Sequence, residues 1–166
     1  ANAFNSGGLS CPAYAGGIAG YMSASTVDSI KLDTCYNVGN VVAISAYNAI
    51  YPYAGGLIGY NSGAKVINCY STIVDQNGNI IISVQTSNNG KGYAAILVGF
   101  NEKGTIIDNL SIYANANQVD CYTNSGFINR NRLSYQEIDE TTILNHLSGY
   151  EESEGIFPTI ANNAKY

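Results

Sequence analysis

Residues 53–72 read YAGGLIGYNSGAKVINCYST, with four glycines, an Asn-Ser pair of turn type and a cysteine followed by a tyrosine. Taken alone, the stretch could be a glycine cradle beside a nucleophilic Cys69. The rest of the chain decides against that. YAGGIAGY begins at Tyr14, YAGGLIGY at Tyr53 and YAAILVGF at Tyr93, so the starts are evenly spaced. A fixed period of roughly 40 residues marks a stacked architecture, in which each copy buries its apolar face only against its neighbours. Glycines and cysteine are therefore read first as parts of a repeated brick.

The match extends along each copy. TCYN carries Cys35 and NCYS carries Cys69, and an alignment on the asparagine of NLSI sets Leu110 in the cysteine position. GNVVAIS from Gly39 lines up with GNIIISV from Gly78, again one period on, and SGFINRN (125–131) reads as a damaged fourth copy. Between anchors the lengths vary. The first copy is longer than the second from Gly20 to Cys35, set against Gly59 to Cys69. It is shorter from Cys35 to Gly39, set against Cys69 to Gly78. Insertions that leave the anchors in register are what a stack tolerates. GNVVAIS and GNIIISV are β-branched runs, AKVINCYST alternates, and GGLIGY is a short apolar run between turn residues. Three short parallel strands per repeat make one triangular coil; two flattened coils per repeat remain the alternative. The expected fold is all-β: a right-handed parallel β-helix or solenoid of about three to four coils over residues 1–132, the hand following from the preference for right-handed crossovers.

The pattern aromatic-x-G-G-[IL]-x-G-[YF]-N-x-G followed by N-C-Y-[NS] resembles the GLUG repeat. The resemblance covers roughly residues 14 to 131 and weakens in the third copy, where Ala95-Ile96 replaces the glycine pair. That family is found in large bacterial surface proteins, in regions flanking the catalytic part of IgA-specific metallopeptidases and in adhesin-like proteins of Gram-positive gut bacteria. It implies architecture and a place at the cell surface rather than a chemistry. The closing segment, 133–166, resembles the end of many GLUG arrays. LSYQEIDETTILNHLSGY has helical spacing at Ile143, Leu144 and Leu147, with Asp139 as N-cap and Gly149 as stop, and EGIFPTIANNAKY reads as an extended tail. The expectation is a C-terminal cap over the last coil.

Composition narrows function. Charged residues are 11% of the 166, and the formal net charge is −5 with seven Lys and Arg, a poor surface for nucleic acid or anionic membrane. No apolar run approaches the ~18 residues of a membrane span. No signal-peptide pattern stands at Ala1, so an exported chain would be shown here as a mature form or a fragment of a larger one.

Each candidate site has a structural counter-reading. A phosphate loop needs a helix after its glycines, and none follows Gly59; Gly20, Gly59 and Gly99 are expected to let backbones of adjacent coils approach. A cysteine nucleophile needs a base, and the one histidine, His146, lies in the expected cap. Cys35 and Cys69 are expected to be reduced, buried and stacked, in a slot that accepts an apolar Leu110; Cys11 and Cys121 have no defined repeat partner. Of fourteen tyrosines, seven recur at three repeat positions, which fits either a glycan-binding stripe or an aromatic ladder, and Phe100 in a tyrosine position favours the ladder. Asp28, Asp33, Asp75, Glu102, Asp108 and Asp120 fall at different repeat positions, and the calcium nonapeptide is absent. The sequence thus nominates no catalytic, cofactor or metal residue. It points to a non-catalytic surface module for adhesion or spacing, meeting host or neighbouring-cell glycans or proteins through loops 22–34 and 72–79. The alternative is a polysaccharide lyase or hydrolase on a β-helix scaffold, which a carboxylate cluster in a groove would favour.

Overall fold

A computed structural model of the protein describes residues 2–5, 12–46, 50–75, 77–86, 91–123 and 128–137. These residues are all-β. A first strand, β1 (Asn2–Asn5), precedes three successive layers. The first layer holds β2 (Tyr14–Gly16), β3 (Ala19–Ser23), β4 (Lys31–Asp33), β5 (Tyr36–Asn37) and β6 (Val41–Ser45). The second holds β7 (Tyr53–Gly55), β8 (Ile58–Ser62), β9 (Lys65–Ile67), β10 (Tyr70–Thr72) and β11 (Ile82–Thr86). The third holds β12 (Tyr93–Ala95), β13 (Val98–Lys103) and β14 (Ile106–Tyr113), and β15 (Cys121–Thr123) and β16 (Ile128–Ser134) lie on top of it.

Among the described residues, strands pair with the equivalent strand one repeat away. Tyr14 faces Tyr53, which faces Tyr93; Tyr21 faces Tyr60, which faces Phe100; Val42 faces Ser83. Every ladder among the described residues is parallel; the first and second repeats each make one layer across four sheets, and the third makes one across three of them. The one antiparallel contact among them is an isolated bridge, Val74 to Ile80, in the 72–79 loop.

Two expectations are corrected. The first and second repeats each carry five short strands in four sheets, not three, because GGLIGY does not run straight and a second break precedes the cysteine. The amides of Gly56, Leu57 and Ile58 all donate to the third layer, to Ala95 O (3.2 Å) and twice to Leu97 O (2.8 and 3.2 Å). Consecutive amides pointing the same way end the alternation of a strand, so the chain bends between β7 and β8. The first layer bends at the same place, with Gly17 donating to Gly56 O and Ile18 and Ala19 to Leu57 O. The expected glycine role holds here. A Cβ on Gly59 would stand 2.6 Å from Gly20 O and 2.8 Å from the Ala15 amide, both backbone, so only glycine lets the two layers close.

The second correction concerns alignment. Leu110 faces Tyr70, which faces Tyr36; Asn109, not Leu110, therefore shares the slot of Cys35 and Cys69. The true marker is the preceding residue: Thr34, Asn68 and Asp108 all have left-handed backbone, φ 54°, 54° and 53°. Asn and Asp tolerate that region better than other side-chain-bearing residues, and it splits β4 from β5 and β9 from β10.

Among the described residues, one apolar cluster runs through Val41, Ala43, Ala54, Ile82 and Ile96, and another through Leu32, Leu57, Ile58, Val66, Cys69, Leu97, Val98 and Ile106. The fourth copy is sparse. Cys121 and Tyr122 continue the positions of Val98 and Phe100, and Ile128 opens the strand above Ile106. β16 crosses residues 132–133 and ends at Ser134, followed by a 3-10 turn, Tyr135–Glu137. No α-helix occurs among the described residues; the expected helix between Asp139 and Gly149, His146 and the tail lie outside them, as does Cys11.

Candidate functional site

The left-handed residue before the cysteine slot exposes an amide to the next layer, and the slot side chain of that layer meets it. Cys35 N–H donates to Cys69 Sγ (3.4 Å), and Cys69 N–H donates to Asn109 Oδ1 (2.9 Å). Each slot side chain also donates back across the bend: Cys35 to Asp33 O (3.2 Å), Cys69 to Ile67 O (3.0 Å), Asn109 Nδ2 to Ile107 O (2.7 Å) and to Val66 O (2.9 Å). The slot therefore selects a side chain that both donates and accepts, which corrects the apolar reading drawn from Leu110. Cys69 is fully buried and burial pushes its thiol up to about 12, while Cys35 is half-buried and also raised, chiefly by burial. Cys121 likewise is pushed up to about 12 by burial, and these three cysteines are free thiols. A thiol held neutral at physiological pH is a poor nucleophile.

The aromatics form two columns that interlock. Tyr14, Tyr53 and Tyr93 stack at 5.5 and 5.1 Å between centroids; Tyr21, Tyr60 and Phe100 stack at 5.6 and 5.4 Å. Rings of one column meet the other edge-on, as Tyr53 does Tyr60 at 5.3 Å and 88°. A third stack pairs Tyr36 with Tyr70 at 5.2 Å and 6°. Such pairs contribute ~0.5–1.5 kcal/mol each beyond burial. Within a column the faces between successive rings cover one another, so the inner rings offer no free face to a pyranose; Tyr21, at the foot, is half exposed.

The carboxylates are tied into separate structural tasks. Asp33 pairs with Lys31 (2.7 Å), and that hydrogen bond first, with Thr34 and Asn68, holds its carboxyl below the usual range. Asp75 closes the 72–79 turn by accepting from the amides of Asn77 and Asn79 (both 2.8 Å) and from Asn79 Nδ2 (2.9 Å), the last lowering its pKa most. Glu102 accepts from Ser62 Oγ (2.6 Å). Asp28 reaches two layers up to accept from the Thr105 amide (2.9 Å) and hydroxyl (2.6 Å), and its own amide donates to Gly63 O (2.7 Å). Asp108 is the left-handed residue of the third layer. No group of three or more His, Cys, Asp or Glu able to hold a metal occurs among the described residues.

Asp120 does not stand out in the sequence, yet the structure gives it a distinct place. Its carbonyl accepts from Leu97 (2.9 Å) and Val98 (3.3 Å), as Leu97's does from Leu57 and Ile58, so Asp120 occupies the position of Ile18, Leu57 and Leu97. It is 3% exposed. Arg130 Nε and Nη2 both reach its Oδ2 at 2.8 Å, and Arg132 Nε reaches Oδ1 at 3.2 Å. Arg132 also donates to the carbonyls of Ala116 (3.1 Å) and Gln118 (2.7 Å) and lies 4.7 Å over the Tyr113 ring. The available signal was the R-x-R spacing of Arg130 and Arg132, which puts both on one face of a strand.

The loops that break the repeat carry exposed apolar groups: Val27 and Ile30 in the long first-layer loop, Ile80 beside the 72–79 turn. Residues 51–75, from the corner through the cysteine slot, match the family model of the GLUG motif. The chain carries a GLUG motif. No curated protein and no solved structure matches the chain. The GLUG residues are those whose packing was just described: the glycine corner, the Asn61 turn, in which Asn61 Nδ2 donates to Asn101 Oδ1 (2.8 Å) and Ala64 O (2.8 Å), and the Cys69 slot. The motif is thus a layer-to-layer packing unit.

Proposed function

We propose that the protein is a non-catalytic repeat module, folded as a right-handed parallel β-solenoid, displayed at a bacterial cell surface as part of a longer chain. It acts in adhesion or as a spacer, and its contacts with host or neighbouring-cell glycans or proteins are made by loops 22–34 and 72–79. The observation that carries this reading is the use made of the repeated positions: glycine, aromatic, cysteine and asparagine all face the adjacent layer. The non-repeated residues are where a partner-specific surface can vary without disturbing the stack. Low charge and parallel stacking support the surface location, and the separate engagement of Asp28, Asp33, Asp75 and Glu102 supports a role without turnover.

A glycan array and a cell-binding assay, run with the chain and with a variant whose residues 24–30 are replaced by the short second-layer turn, test it. Binding should fall with the loop replacement and survive neutralisation of any single carboxylate. Turnover of pectins, host glycans or peptides that disappears on changing Asp28, Asp33, Asp75 or Asp108 would sink the module reading in favour of the enzyme.

A further inference from the structure

In each complete repeat the chain visits the sheets in one order: that of β2 and β7, that of β3 and β8, that of β4, β5, β9 and β10, then that of β6 and β11. β1 belongs to the last of these. It pairs in parallel with β6, Asn2 on Val42 through Asn5 on Ser45, one layer before the first. That layer supplies no strand to the other three sheets among the described residues, and β2, β3, β4 and β5 end them. In the chain order of the repeat, the four strands missing from those three sheets come immediately before β1.

The uncovered edge has the composition of an interior. Of the six exposed large apolar side chains among the described residues, Ile18 and Tyr21 lie at this edge, Ile18 between β2 and β3 and Tyr21 on β3. Ile18 is 46% exposed where Leu57 and Leu97, at the same position, are fully buried. Tyr21 is half exposed at the foot of an aromatic column whose next ring, Tyr60, it stacks on. The corner carbonyl of Leu57, and that of Leu97, accepts two amides from the layer before, and Ile18 holds that position in the first layer.

We propose that the edge formed by β2, β3 and β4, with Ile18 and Tyr21, is the docking surface for one further GLUG-type layer carried by the polypeptide directly amino-terminal to β1. This rests on the repeat-module reading and names the module's partner as a segment of its own chain. The path from the start of β2 to the start of β6 matches that from β7 to β11 closely in length. The occupant is therefore about 30 residues long, most of one repeat unit. It presents an apolar residue over Ile18, an aromatic ring over Tyr21 and β-type backbone in register with all three strands.

The test fuses a copy of residues 53–81 ahead of Ala1 in the full chain, so that β1 follows the copy as β11 follows the second layer. A control carries the same residues scrambled. The matched fusion should raise the melting temperature by about 5 °C or more relative to the scrambled one. Amides of residues 14–33 should exchange with deuterium at least about tenfold more slowly. Ile18→Asp should leave the unfused chain almost unchanged and remove the gain from the fusion. Equal exchange in matched and scrambled fusions overturns the proposal, as does a matched fusion that no longer folds. So does an unfused chain that sediments as a dimer with residues 14–33 already protected, because the occupant is then a second copy. Enzymatic turnover by the unfused chain would remove the module reading while leaving the exchange result standing, so the two failures are distinguishable.

Discussion

The two ends of one column differ in kind. Ile18, Leu57, Leu97 and Asp120 occupy successive layers at the same corner. At the carboxyl-terminal end the position holds a carboxylate, 3% exposed and bound by Arg130 and Arg132; at the amino-terminal end it holds an isoleucine 46% exposed. A charge buried in a hydrophobic column costs several kcal/mol unless paired, as it is here. Its presence forbids a further apolar layer from stacking at that corner, which is how a sheet edge is blunted against unwanted growth. The other end has no such device among the described residues. Among the described residues, one end of the column carries a paired carboxylate and the other an exposed isoleucine.

The largest effect expected from this contrast is between the column's own members. Leu57→Ala removes a fully buried side chain between two layers and should cost about 3 kcal/mol in urea unfolding. Ile18→Ala should cost less than about 1 kcal/mol, because much of the side chain is already in water. Equal costs would mean that the first layer is covered in solution and would dissolve the contrast. Next is Asp120. Asp120→Ala should destabilise by about 2–3 kcal/mol, less than for a fully buried triad because both arginines reach water. It should also raise proteolytic cutting within 114–120, since Arg132 positions that loop partly through Asp120. If the loop stays protected, Arg132 acts on it without the carboxylate.

The period, the parallel pairing and the aromatic ladders were legible because they repeat in type: Tyr on Tyr, Gly above Gly, Val and Ile runs one period apart. What repeats only in function was not legible. Cys69 and Asn109 share no resemblance on a hydropathy scale, yet both accept an amide from below and donate to a carbonyl two residues back. Aligning asparagines instead of left-handed residues shifted the third copy by one, and put Leu110 where Asn109 belongs. The bend at Gly56-Leu57 was hidden for a similar reason: nothing in an apolar run announces that three successive amides point one way. Asp120 was counted among scattered acids, since the arginines that pair with it lie ten and twelve residues on, across the break in the fourth copy.

The slot itself gives the third prediction. Cys69→Asn places in the second layer the side chain that the third already uses, and should change stability by less than about 1 kcal/mol. Cys69→Leu, the substitution that the asparagine-based alignment would recommend, leaves the Cys35 amide without its acceptor and crowds a filled column; about 2 kcal/mol of destabilisation is expected. A leucine variant as stable as the wild type would restore the apolar reading of the slot.

The smallest effect is in the pH profile. Burial pushes the Cys69 thiol from the ordinary value of 9.0 up to about 12, so between those values the unfolded chain loses a proton that the folded chain keeps. The contribution is fully present below about pH 9 and is lost as pH rises toward the folded value. Cys121, shifted in the same direction by burial, adds to the loss, and Tyr53, raised from 10.0 to about 12 mainly by burial, joins it from about pH 10. Urea midpoints measured from about pH 7.5 to 10.5 should therefore hold level and then decline from about pH 9. Cys69→Asn carries no proton to lose at that position, so its decline should be shallower while Cys121 and Tyr53 remain. The comparison needs reducing conditions, so that the decline reports ionisation and not oxidation. Parallel curves for the two proteins would mean that Cys69 titrates alike in the folded and unfolded chains. That would contradict its complete burial between layers.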